Sequence, residues 1–210
     1  MVAVKPRIDR REAMLDAALE VFAREGYDGG SIDDIARMAG VAKPTVYNHF
    51  GDKSGLFVET IRRGAERANA RVDAVVDGLD PAADGLRDEL VRVGDALVGC
   101  VTHADGAAVL RLQLGERARF PELIDDISRG SRDRTIDRLA GKLAQLAAAG
   151  RLRLRDPRRA ARQFLALVAD EALVTSGYGA RVLDPGELRG AIDDGVDTFL
   201  AAFGPSDAAR

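Results

Sequence analysis

The stretch Ser31-Ile-Asp-Asp-Ile-Ala-Arg-Met-Ala-Gly-Val-Ala-Lys-Pro-Thr-Val-Tyr-Asn-His-Phe50 decides the fold. Ser31 followed three residues later by Asp34 has the form of a capping box, in which a hydroxyl accepts a backbone N–H at a helix start. Ile32, Ile35, Ala36 and Ala39 then recur at helical spacing until Gly40 interrupts them. A third short helix is expected from about Lys43 to Phe50, with Val46 and Phe50 one turn apart and facing the core. At ~3.6 residues per turn, Pro44, Thr45 and Asn48 then point away from that core, and Tyr47 and His49 lie on its two flanks. Two short helices around a glycine turn form a helix-turn-helix, whose second member can lie in the major groove of DNA.

Outward from this stretch the pattern stays helical, so the fold class is all-α with about nine helices. Met14, Ala17, Ala18, Val21 and Phe22 form one stripe between Asp9 and Glu25, and Gly26 with Tyr27 reads as a left-handed C-terminal cap. Asp52 can cap a long fourth helix through Phe57, Ile61, Ala65, Ala68, Val72 and Val75, which stops near Gly78 and Pro81. A fifth runs through Leu86 to Val101, a sixth from about Val109 to Ala118, and a seventh, with a kink expected near Gly130, ends at Gly150. Asp156-Pro157 and Asp184-Pro185 open the last two helices, with Asp as N-cap and Pro in the first turn where its missing N–H costs nothing.

The 210 residues are 46 % hydrophobic and 31 % charged, enough apolar content for a real core. Aromatics are 5 % with no Trp, so the interior must be aliphatic. The net charge of −3 confines any nucleic-acid binding to a local patch, and Lys5, Arg7, Arg10 and Arg11 read either as a basic arm that touches phosphate or as a solvated, disordered terminus. A single cysteine, Cys100, excludes an internal disulfide and reads as a buried thiol suited to a reducing cytoplasm. No signal segment or bilayer-spanning run is legible, so a cytoplasmic protein with no membrane partner is expected. With two His residues, no metal-ligand spacing, no Gly-rich phosphate loop and no nucleophile beside a base, neither an enzyme nor a cofactor is expected.

The outward face of the third helix has the chemistry of a DNA reader. Asn48 can pair with adenine, while Pro44 or the Thr45 methyl can touch a thymine methyl. Tyr47 and His49 can hydrogen-bond phosphates on either side, and Lys43 and Lys53 add charge at the ends.

The run from Ala39 through Asp52-Lys53 to Leu56-Phe57, with Ala17-Ala18-Leu19-Glu20-Val21-Phe22 and Gly26-Tyr27, resembles the signature of the tetracycline-repressor (TetR/AcrR) family. The likeness covers roughly residues 10 to 60. It implies that Lys43, Pro44, Thr45, Tyr47, Asn48, His49 and Lys53 face the operator, that Tyr47 and Lys53 hold phosphate, and that the Ser31 hydroxyl does so too. One position departs: Ala42 stands where the family has Ser or Thr capping the recognition helix, a loss of ~1 kcal/mol. The segment from Arg111-Leu112 through Glu116 to Arg119-Phe120-Pro121-Glu122-Leu123 resembles one branch of the family.

The resemblance also implies an organisation. A three-helix DNA-binding domain over 1–51, with a basic arm at about 1–9, precedes a ligand-binding and dimerisation domain over 52–204 and a disordered tail at 205–210. A small-molecule effector is implied, with His103, Arg111, Gln113, Glu116, Asp170 and Tyr178 as candidate polar contacts, a surface or structural role being the alternative for each. A homodimer is implied through the last two helices, with Phe164, Leu167, Val168, Leu188, Ile192, Val196 and Phe199 as candidate interface residues. An intramolecular core remains the alternative for those stripes. The expected function is a homodimeric repressor released from a palindromic double-stranded DNA operator by its effector. The alternatives are an activator of the same fold and a helical interaction protein that no longer binds DNA.

Overall fold

The computed structural model describes residues 7–82, 84–181 and 183–205, with the backbone alone at 7–9 and 185. Among these residues the elements are α1 (Arg7–Gly29), α2 (Ile32–Ala39), α3 (Lys43–Phe50), α4 (Lys53–Asp77), α5 (Leu86–Thr102), α6 (Ala104–Glu116), α7 (Pro121–Ala148), α8 (Pro157–Thr175) and α9 (Pro185–Phe203). All are α-helices. Much of the expected basic arm and the tail at 206–210 lie outside the described residues.

The chain forms two compact units, 1–67 with 108–127, and 68–107 with 128–210. The first break falls after Arg67, because Leu56, Phe57, Ile61 and Ala65 of α4 join the core built by α1, α2 and α3. Val109, Leu112 and Ile127 complete that core from far along the chain. Charge reinforces it on one side. Glu12 of α1 accepts from Arg63 (2.9 Å) and Arg67 (2.7 Å) of α4, Asp16 also pairs with Arg67, and Arg11 binds Glu59 at 2.7 Å. Burial, the largest single influence, pushes the Glu12 carboxyl up, but the hydrogen bonds and charges of Arg63 and Arg67 together outweigh it and hold its pKa below the usual value. This carboxylate therefore contributes stability above the ordinary glutamate range that is lost as pH falls through its lowered pKa.

The second unit buries Val72 and Val76 of α4, Leu90, Val93 and Val98 of α5, Ile136, Leu139 and Leu143 of α7, and Phe164, Val168, Ile192, Val196 and Phe199 of α8 and α9. Phe164 and Phe199 meet edge to face with centroids 5.1 Å apart. At Gly195 a side chain would come 2.5 Å from the Leu167 carbonyl oxygen, so only glycine lets α8 and α9 approach this closely. The two Asp-Pro starts form as expected. Asp156 accepts from the Arg159 N–H at 3.0 Å, and Asp184 makes a full capping box with Glu187.

Three boundaries differ from the periodicity. Gly26 does take a positive φ of 71°, but its ψ of −179° is extended, and one more helical turn follows to Gly29. Helix α6 starts at Ala104, directly after the extended His103, so it includes a first turn of small residues, Ala104, Gly106, Ala107 and Ala108, that carries no stripe of large apolar side chains. Helix α7 runs as one element through Gly130, since glycine in a helix costs only ~1 kcal/mol against alanine.

Candidate functional site

Helices α2 and α3 are set by their ends. Ser31 Oγ accepts from the Asp34 N–H at 3.4 Å, so the N-cap forms, but the Asp34 carboxylate turns to Arg37 (2.6 Å) and the box is not reciprocal. Gly40 ends α2 in the left-handed conformation, φ 68° and ψ 35°, which an L side chain adopts only with strain. The chain turns there and enters α3 at Lys43, after Val41 and Ala42. Ala42 occupies the N-cap of α3 and makes no side-chain cap bond, as its methyl dictates. Converting Ala42→Ser is expected to raise stability by about 0.5–1 kcal/mol. A urea midpoint that does not rise would show the uncapped start to be neutral.

Val46 is the buried anchor of α3, 1 % exposed, and Phe50 is half-buried beside it. Opposite them, Lys43, Pro44, Tyr47 and Asn48 are exposed, with Thr45 and His49 half-buried at the margins. The expected outward face and its flanks are thus one continuous surface. Tyr47 is 41 % exposed, one of the few large apolar side chains left in solvent. The cations at its ends are held in place. Lys43 Nζ donates to Asp33 Oδ2 at 2.9 Å, and that hydrogen bond, with the Asp33 charge, raises its pKa. Lys53 Nζ donates to the Asp28 carbonyl oxygen at 3.0 Å and lies 5.0 Å from the Tyr27 ring centroid. The Arg11 guanidinium lies 5.5 Å over Phe50 while paired with Glu59. Such a face can do two things. The exposed Asn48 amide and Pro44 ring, with the Thr45 hydroxyl at their margin, can address base edges, and the Tyr47 phenol, the His49 imidazole and the two ammonium groups can address phosphates.

The second unit contains a cavity of about 600 Å³ lined by Arg71, Ala74 and Val75 of α4, by Gly78 directly after it, and by Arg92, Asp95, Ala96, Gly99 and Cys100 of α5, with His103 just beyond. This is within the usual size for a small-molecule site, ~300–1,000 Å³. Burial pushes the Cys100 thiol up, against a smaller opposing pull from the Arg71 charge, so it stays protonated at neutral pH. Arg92 pairs with Glu89 one turn away.

Of the six candidate ligand contacts, only His103 lies on this cavity. Arg111, Gln113 and Glu116 belong to the other compact unit, where Glu116 accepts from the Tyr27 N–H at 3.4 Å. Asp170 and Tyr178 are exposed. The sequence reading missed Arg71, Arg92, Asp95 and Cys100. The usable signal was one face on each of two helices: Arg71, Ala74 and Val75 on α4 with Gly78 just after it, then Arg92, Asp95, Ala96, Gly99 and His103 from α5 onward, repeat at spacings of three and four.

The candidate dimer residues also need correction. Phe164, Val168, Ile192, Val196 and Phe199 are each at most 1 % exposed in the single chain, so their stripes serve its own core. Leu167, 36 % exposed, and the half-buried Leu188 remain accessible.

An exposed recognition helix in a helix-turn-helix, on a chain that also carries a cavity-bearing helical unit, defines a DNA-binding regulator. Comparison with known proteins agrees. Residues 14–60 match the family model for bacterial regulatory proteins of the tetR family, and residues 88–205 match that for the AefR-like transcriptional repressor C-terminal domain. The chain belongs to the TetR family of DNA-binding transcriptional regulators. A TetR-family regulator structure from Mesorhizobium loti superposes with a TM-score of 0.86 at 26 % identity, over 95 % of this chain and 100 % of that one. The HTH-type transcriptional repressor Rv1474c of Mycobacterium tuberculosis is 28 % identical over 88 % of this chain and 89 % of its own length. The HTH-type transcriptional activator FasR of Mycolicibacterium smegmatis is 37 % identical over 44 % of this chain, a match that spans 39 % of FasR.

Proposed function

We propose that this chain is a homodimeric repressor that leaves its operator when a small molecule occupies the cavity between α4 and α5. The observation that carries the DNA half is the exposed face from Lys43 to His49, anchored by the buried Val46 and flanked by Lys53. The palindromic operator follows from a size argument. One helix of eight residues makes too few contacts for a specific site, whereas a two-fold dimer reads half-sites about 34–36 Å apart. The accessible outer faces of α8 and α9, Leu167 and Leu188 among them, are the surface left for pairing.

The effector half rests on the cavity. Its walls are mostly small and apolar, with Arg71, Arg92, Asp95 and His103 as the polar contacts. Helix α4 contributes residues to both compact units, up to Arg67 to one and from Ala68 to the other. It is the element that can couple cavity to DNA. A ligand that prefers the form with the wrong recognition-helix spacing lowers operator affinity by its differential affinity for the two forms.

Footprinting on DNA upstream of the chain's own coding region, repeated with a panel of small molecules, tests both halves. A protected two-fold site whose affinity falls about 5- to 150-fold with one compound is expected. A compound that binds the cavity and leaves that affinity unchanged would overturn the release mechanism. Transcript that rises on protein binding would replace repression by activation.

A further inference from the structure

The outer face of α8 has a symmetry of its own. The helix buries Ala160, Ala161, Phe164, Val168 and Ala172, and on the opposite side leaves Arg159, Arg162, Gln163, Ala166, Asp170 and Val174 exposed. Arg162, Ala166 and Asp170 follow one another at intervals of four, which makes them one ridge of the kind that packs against a second helix. The small residue is at the centre, with a cation one turn before it and a carboxylate one turn after.

Among the described residues these charges have no counterpart. Arg158, facing α7, is bound to Asp133 at 3.1 Å and Asp137 at 2.6 Å, and on α9 Asp193 and Asp197 hold Arg87. Among the described residues neither Arg162 nor Asp170 has an ion pair. They cannot satisfy each other, because eight residues of helix separate them by about 12 Å along the axis. The same stretch of chain, α8 and the turn after it, concentrates apolar exposure. Leu167 (36 %), Val174 (58 %) and Tyr178 (50 %) are half of the large hydrophobic side chains that the described residues expose.

We propose that α8 pairs antiparallel with α8 of a second copy about a two-fold axis at Ala166, so that Arg162 meets Asp170 of the partner subunit twice over. A two-fold contact must be self-complementary, residue by residue. A ridge of the form cation, small, anion meets that condition when it is reversed against itself: the small centres let the backbones approach, and both charge pairs form at once. The inference rests on the dimer reading above and adds its register and its charge code.

Sedimentation velocity over a concentration series tests it with three samples besides the parent chain. Arg162→Glu alone sets like charges against each other at both contacts, and so does Asp170→Arg alone. Each variant is expected to dimerise about tenfold or more weakly than the parent. An equimolar mixture of the two is expected to recover the dimer, since both contacts of the mixed pair again join opposite charges. Recovery also shows that each variant folds. A parent dimer that neither variant weakens would overturn this register and leave the dimer reading standing. Weakening without recovery in the mixture would also overturn the pairing. A parent chain that stays monomeric at every concentration and on DNA would remove the dimer reading, and the register with it.

Discussion

Converting Lys43 and Lys53 together to Gln weakens binding to every DNA sequence and flattens its dependence on salt, whereas Asn48→Ala costs little on random DNA and blunts the choice among sites. The difference follows from what each group can touch. The ammonium groups tethered at the start of α3 and at the start of α4 are placed to meet the backbone, which is the same for all sequences. Each phosphate contact releases counterions, so log affinity falls against log salt with a slope of about −0.9 per contact. Two contacts in each of two protomers therefore change the slope by about 3.6. Asn48 lies at the exposed centre of α3, where its amide can address adenine through two hydrogen bonds. Losing a base contact of that kind costs about 1–3 kcal/mol at the specific site alone.

The intramolecular partners of the two lysines sharpen this test. Lys43 is already bound to Asp33 and Lys53 to the Asp28 carbonyl, so contact with phosphate exchanges one partner for another. These tethers fix the direction of both ammonium groups before DNA arrives. Titrations of one DNA duplex at several salt concentrations, and a selection from random duplexes, separate the two variants. Equal loss of affinity and of salt dependence in both would undo the division of the face into phosphate margins and a base-reading centre.

How much of this was legible depends on how local each feature is. The start of α2 at Ser31, the turn at Gly40 and the two Asp-Pro helix starts are decided within four or five residues, and all were readable. The exposed face of α3 was readable too, because one buried position, Val46, fixes the orientation of a helix only two turns long. The candidate dimer residues went astray for a physical reason. An amphipathic stripe shows that a face is buried, not whose side chains bury it, and Phe164 and Phe199 bury each other. The cavity was hidden for a second reason. Polar residues on the middle helices drew attention, but the space itself comes from small ones, Ala74, Gly78, Ala96 and Gly99, and missing bulk leaves no pattern of its own. Least legible of all was the packing of residues 108–127 with the first three helices, which depends on contacts about ninety residues apart, such as Arg119 with Asp28.

That long-range packing carries the largest effect expected on stability. Phe57 is fully buried on α4, at the centre of four rings: it meets Phe22 edge-on at 5.2 Å and Tyr27 edge-on at 5.1 Å, and stacks with Phe120 at 5.4 Å. These partners come from the two sides of the kink in α1 and from the segment just before α7, so the Phe57 ring ties α4 to both. Phe57→Ala removes the ring and leaves a void that the other three cannot close without losing their own contacts. The expected cost is about 3–5 kcal/mol, a large share of the ~5–15 kcal/mol that holds a domain folded. For a chain of this size it lowers the melting temperature by roughly 6–20 °C. The chain has no Trp, and Tyr27 lies in the cluster, so tyrosine fluorescence follows the transition directly. Phe57→Leu keeps most of the volume and should lose far less. A melting temperature that Phe57→Ala leaves within about a degree of the parent would mean that the four rings contribute little, and that the ion pairs from Glu12 and Asp16 to Arg63 and Arg67 hold α1 against α4 by themselves.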